Sequence, residues 1–165
     1  MSKDKKNGRP ISNNVDYFPH KCKDDKELRF IQHKYKSEGY EVFYRLQQCL
    51  GDAEFHRIDL GNDLERQMFE MSMFVNQEVV YGVIDILVEM NWLDKEVYEK
   101  DKVLWSDKFV NSIRAVYINR KKPAPTKERA IFRPPSFIII PYRKRIVSMP
   151  SLKTETNARA NIPYP

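Results

Sequence analysis

Five side chains are of the type that binds a soft metal ion: His20, Cys22, His33, Cys49 and His56. A structural zinc site needs four such ligands at short, paired spacings. Only His20-Lys21-Cys22 brings two together, and the chain contains neither CxxC nor HxxxH. Neither cysteine has neighbours that would activate it, and no GxSxG elbow is present. Gly8, Gly39, Gly51, Gly61 and Gly82 are all isolated, so no glycine-rich loop cradles a phosphate. The carboxylates read as solvated helix faces rather than an acid–base pair. The expectation is a non-enzymatic protein with no metal, no cofactor and no small-molecule substrate.

The basic side chains point to a different chemistry, neutralisation of phosphates. The net charge of +6 is unevenly placed. Residues 1–122 hold 21 Lys/Arg and 21 Asp/Glu, whereas residues 123–165 hold 8 and 2, so the excess of +6 lies in the tail. Candidate nucleic-acid contacts are Lys23, Lys26 and Arg29 near the N-terminus, then Lys108, Arg114, Arg120, Lys121 and Lys122. In the tail they are Arg143, Lys144 and Arg145, with Tyr142 beside them. Arg114 and Lys121 are seven apart, which places them on one face of a helix. Basic segments with an aromatic neighbour suit weak or single-stranded binding by charge and stacking. The competing reading is a set of solvated faces and a soluble tail.

The elements that position these residues follow from periodicity and caps. Residues 1–14 are polar and are expected to be a flexible arm, stapled to a domain over residues 15–122 by Asp16-Tyr17-Phe18-Pro19. Asp24 or Asp25 caps a helix with Leu28, Ile31 and Tyr35 on one face, and Gly39 breaks it. A second helix runs from Tyr40 to Leu50, and His56–Leu60 alternates like a short strand. Asn62 or Asp63 caps a helix carrying Leu64, Met68 and Met71. A turn near Phe74-Val75-Asn76 leads to a longer helix over 77–91, with Val79, Val80, Val83, Ile84, Leu87 and Val88 in its apolar stripe. That stripe fills the core or, being wide, reaches a partner. Trp92-Leu93 and Val103-Leu104-Trp105 are β-prone and flank a charged stretch, as the strands of a wing do, although 95–100 could add a helical turn. Ser106 or Asp107 caps a last helix with Phe109, Ile113, Val116 and Tyr117 inside. Residues 123–165 form an extended, Pro-rich basic tail. Its apolar run Phe137, Ile138, Ile139 and Ile140 either packs on the domain or docks on a partner's sheet edge.

This order makes the fold class mostly α: a winged helix with an added C-terminal helix and an extended tail. Four segments carry a resemblance: Asp16-Tyr17-Phe18-Pro19, Asp24-Asp25-Lys26, Glu38-Gly39-Tyr40, and Val88-Glu89-Met90-Asn91-Trp92-Leu93-Asp94-Lys95. Together, over about residues 9–122, they resemble the N-terminal winged-helix domain of phage and prophage DnaD-like replisome organisers. The resemblance implies a winged helix, a role in phage-type DNA replication in a bacterial cytoplasm, and no catalytic residues. It also implies self-association or docking on a replisome protein.

The residues argue against the usual way such a fold meets DNA. The second helix of a helix–turn–helix enters the major groove, yet residues 77–91 contain Glu78, Asp85 and Glu89 and no Lys or Arg. The segment 59–107 has 12 acidic and 4 basic residues, a net of −8. DNA contact is therefore expected from the flanks and tail. The alternative is a protein-interaction module with no DNA contact. The N-terminal Met1-Ser2-Lys3-Asp4-Lys5-Lys6 has no apolar stretch behind it and no apolar run is long enough to span a bilayer, so neither a signal peptide nor membrane attachment is expected.

Overall fold

A computed structural model describes residues 14–20 and 25–131. Among them the architecture is mostly helical, with one small two-stranded sheet. Helix α1 spans Lys26–Asp52 and is interrupted at Lys36, where φ is 55° and ψ −132°. The two predicted helices are thus present, but the break falls three residues before Gly39. Gly39 itself is helical and buried. A Cβ there would stand 2.6 Å from Ile31 Cγ2 and 2.9 Å from Tyr35 Cβ. Close approach of the two arms of α1 requires this glycine, not a chain break.

A 3-10 turn, Glu54–His56, leads into strand β1, Ile58–Asp59. Helix α2 is Asp63–Met73, capped by Asn62, whose side chain accepts from the N–H groups of Leu64 and Glu65. Phe74, in left-handed geometry, ends it. Helix α3, Gln77–Glu89, starts under Asn76, which accepts from the N–H of Glu78. The chain bends by 104° between α2 and α3. Helix α4, Lys95–Asp101, precedes strand β2, Val103–Leu104. The short helices α5, Asp107–Ser112, and α6, Arg114–Asn119, replace the single last helix. Helix α7 is Lys127–Ile131.

The expected wing hairpin is not formed. Residues 95–101 are helical, Trp92 and Leu93 turn into the core, and β2 pairs antiparallel with β1, Ile58 opposite Leu104. Asp94 caps α4 by accepting from the N–H of Val97, and Val97 anchors the helix inside. Lys95 and Glu99, four apart, add an i,i+4 pair at 3.7 Å. In a stretch of good helix formers, these local terms outweigh a strand.

The core forms where α1 crosses α3 and α2. Leu28, Ile31, Val42, Phe43, Leu46 and Leu50 meet Val80, Val83, Ile84, Leu87 and Val88. Val79 packs partly against the same cluster. The wide stripe of α3 is therefore spent on the core. Each such side chain, fully buried, contributes about 1.5–3 kcal/mol before entropy is subtracted. A second cluster, Val97, Val103, Trp105, Val110 and Ala130, takes in α7. Packed structure thus continues past Lys122. At the N-terminal side the N–H of Val15 donates to Gly51 O at 2.8 Å, and the Phe18 ring meets Phe109 edge-on at 6.0 Å. Val15 and Phe18 make the staple, while Tyr17 is exposed.

Candidate nucleic-acid and partner interfaces

The outward face of α3 carries Glu78, Asp85 and Glu89, all exposed, and the helix has no Lys or Arg. Its first turn is tied to α2. Tyr81 donates its hydroxyl to Glu70 Oε1 at 2.6 Å, and Gln77 Nε2 donates to Glu70 Oε2 at 3.0 Å. Burial, then this carboxylate, pushes the Tyr81 phenol up to about 12. Asn76 is used as the cap and Gln77 as a brace. The helix that the sequence singles out as the DNA reader thus presents carboxylates, and Asn76 and Gln77 are engaged within the domain.

The candidate cations separate into groups. Lys26 and Arg29 are exposed in the first turns of α1, and Arg114 is exposed in α6. Lys108 Nζ sits 2.6 Å from Glu27 Oε1, whose side chain is almost wholly buried. Arg120 Nη1 donates to Asn14 O at 2.6 Å, holding the N-terminal segment. Because α6 stops at Asn119 and Lys121 takes a left-handed φ of 54°, Arg114 and Lys121 do not share a helix face. Lys122 is half-buried, its N–H bonded to Tyr117 O at 3.0 Å. Lys23, Arg143, Lys144 and Arg145, and the apolar run Phe137, Ile138, Ile139 and Ile140, lie outside the described residues.

Helix α2 reverses its expected orientation. Leu64, Met68 and Met71, the apolar stripe read from the sequence, face outward at 68%, 58% and 77% exposure, and Phe74 follows at 77%. Phe69 and Met73 turn inward instead. The helix carries two apolar stripes on opposite sides, and periodicity alone does not say which one is buried. Arg45 of α1 lies over the Phe74 ring, 4.6 Å from its centroid.

Of the soft ligands, His20, Cys49 and His56 are engaged separately, and His33 is exposed on α1. His20 stacks on Tyr44 with ring centroids 4.4 Å apart. Cys49 Sγ is 3.2 Å from Ser72 Oγ, and burial raises its thiol pKa, away from reactivity. His56 is fully buried between Leu50 O and the Tyr117 hydroxyl. Cys22 lies outside the described residues. Among the described residues no three His, Cys, Asp or Glu side chains converge as metal ligands would. The pair of buried Glu27 with half-exposed Lys108, and the buried pair His56–Tyr117, are not visible in the sequence. Each joins positions 60 or more residues apart, 81 and 61 respectively, so no local spacing marks them.

Among the described residues no single helix is long and apolar enough to cross a membrane. No curated protein and no solved structure matches the chain. Residues 17–109, more than half of the chain, take in α1 to α4, both strands and the start of α5. Over them the sequence matches the family described as Lin1244/Lin1753-like, N-terminal, and the chain belongs to that family.

Proposed function

We propose that this chain is a non-enzymatic accessory protein of phage-type DNA replication. Its basic flanks and tail hold DNA weakly, and its domain holds a protein partner. The scaffold is read as a DnaD-like winged helix that has lost its hairpin. In support, α1, β1, α2, α3 and β2 follow in that order, β1 and β2 pair antiparallel, and α2 and α3 meet at the angle common in helix–turn–helix pairs. Helix α4 stands where the wing would begin.

The observation that carries the reading is the separation of charge. The outward face of α3 is acidic, whereas Lys26, Arg29 and Arg114 are exposed on α1 and α6. The tail from residue 123 carries 8 Lys/Arg against 2 acids. A polyanion is repelled from the first surface and attracted to the others. The test is a titration of the full chain with a single-stranded oligonucleotide at several salt concentrations. Changing Arg143, Lys144 and Arg145 together to Ala should weaken binding and lower the log–log salt slope by about 2. An unchanged affinity and slope would remove the tail from the reading.

A second reading, a protein-interaction module with no DNA contact, is favoured by the internal use of two candidate cations, Lys108 and Arg120. Absence of any oligonucleotide binding at low salt decides for it.

A further inference from the structure

We propose that the outward face of α2 is a docking site for a short apolar peptide segment bordered by arginine and lysine, carried by another polypeptide. The inference deepens the partner-docking half of the function proposed above and is independent of the DNA half.

Leu64, Met68 and Met71 stand at i, i+4 and i+7, and Phe74 extends the same strip past the helix end. Large apolar side chains spread singly over a surface need no explanation, but four in one row do. The two methionines at its centre are flexible and polarizable, a composition suited to repacking against a guest. Phe74 adds an independent sign. It holds left-handed geometry at φ 53°, ψ 18°, where a bulky side chain is disfavoured. Its ring is outside the core and, among the described residues, lies under Arg45. The domain therefore carries, at the end of α2, an aromatic in disfavoured backbone geometry whose ring stays outside the core.

Charge selects the guest. Helices α2 and α3 carry Asp63, Glu65, Glu70, Glu78, Asp85 and Glu89 against Arg66, and Arg45 of α1, beside Phe74, is offset by Glu41 at 2.7 Å. A second copy docking by the same face brings the same excess of carboxylates. An anionic lipid surface or a nucleic acid meets the same repulsion. An apolar segment with cationic borders gains both burial and attraction.

The probe is a fluorescent synthetic heptapeptide, KFIIIRK, which has this composition and is not a segment of this chain. Its binding to the full chain is followed by anisotropy, and its place by a photo-crosslinking residue substituted at Met68. The expected result is saturable binding with crosslinks to the peptide, weakened about tenfold by Met71→Glu. A peptide with Glu at its three basic positions should not bind. Phe74→Gly should weaken docking while raising the thermal midpoint, opposite signs that unfolding cannot produce. Equal binding of the acidic peptide overturns the charge argument. Absence of crosslinks overturns the site. Crosslinks only within one chain, or only between full chains, or stripe-dependent sedimentation with phosphatidylglycerol vesicles, overturn the assigned guest. The oligonucleotide titration repeated on Met71→Glu should be unchanged, so failure of docking and failure of DNA binding are read separately.

Discussion

The imidazole of His56 is held in one tautomer by its two partners. Nδ1 lies 2.8 Å from Leu50 O, and a carbonyl only accepts, so Nδ1 carries the proton. Nε2 of the neutral ring then accepts from the Tyr117 hydroxyl. Burial lowers the His56 pKa below 6.5, the Leu50 carbonyl opposes that shift, and Arg120 adds to it. The unfolded chain therefore binds a proton that the folded chain refuses between the two pKa values. Stability from this site is complete above about pH 6.5 and falls as the pH drops toward the folded-state pKa, at no more than about 1.4 kcal/mol per pH unit. Urea unfolding between about pH 8 and pH 5 should show this loss, and His56→Gln should flatten it. Tyr117→Phe should cost about 1–3 kcal/mol near pH 8, because it removes the donor to a buried acceptor. A stability independent of pH over that range would mean that the ring accepts a proton without penalty.

Helix α1 shows how far local pattern reaches. A glycine in an amphipathic run reads as a break, and Gly39 is the glycine in the interior of α1. The chain turns instead at Lys36, whose φ of 55° and ψ of −132° are those of the first corner of a type II′ turn. Lys36→Gly should therefore stabilise the fold, by about 1 kcal/mol at most. Gly39→Ala should destabilise it by about 1–3 kcal/mol despite the better helix propensity of alanine, because the new methyl meets Ile31 at 2.6 Å. Denaturation midpoints of the two variants check the pair of opposite signs, and equal signs would refute the packing account of Gly39. Caps were easier to read. The sequence offers Asn62 or Asp63 and Ser106 or Asp107, and in each pair the first bonds the helix N–H groups ahead of it. A cap acts over three residues, so its signal is local. The face of α2, the partner of β2 and the company of Glu27 are settled by distant residues. The sequence carries those answers only through the finished packing.

At the scale of the whole molecule, the packing seen among the described residues reaches α7, whereas most of the net charge lies beyond it in the sequence. Helix α7 lies beyond the end of the predicted domain, yet it is built in. Ala130 is 2% exposed among Val97, Val103, Trp105 and Val110. Lys127 Nζ reaches Asp94 Oδ2 at 2.8 Å and Glu96 Oε2 at 2.9 Å, which raises its pKa. Burial alone would raise the pKa of Asp94, but bonds from Lys127 and from the N–H of Val97 outweigh it and hold the carboxyl below its ordinary value. A chain ended after Lys122 loses these contacts and uncovers one side of Trp105. It should lose about 1–3 kcal/mol, the sum of a small buried side chain and two partly screened ion pairs. A chain ended after Ile131 keeps them and should unfold at a higher midpoint than the chain ended after Lys122. The electrostatic effect runs the other way. Residues 132–165 contain six Lys/Arg and one Glu, a net of +5 out of +6. The chain ended at Ile131 should therefore fold normally but bind a single-stranded oligonucleotide with a salt slope lower by up to about 4. Thermal unfolding and salt titration of the two shortened chains separate the effects. If the chain ended at Ile131 kept the full slope, the DNA contacts would belong to the exposed cations of α1 and α6. If the chain ended at Lys122 lost no stability, α7 would be an appendage rather than part of the fold.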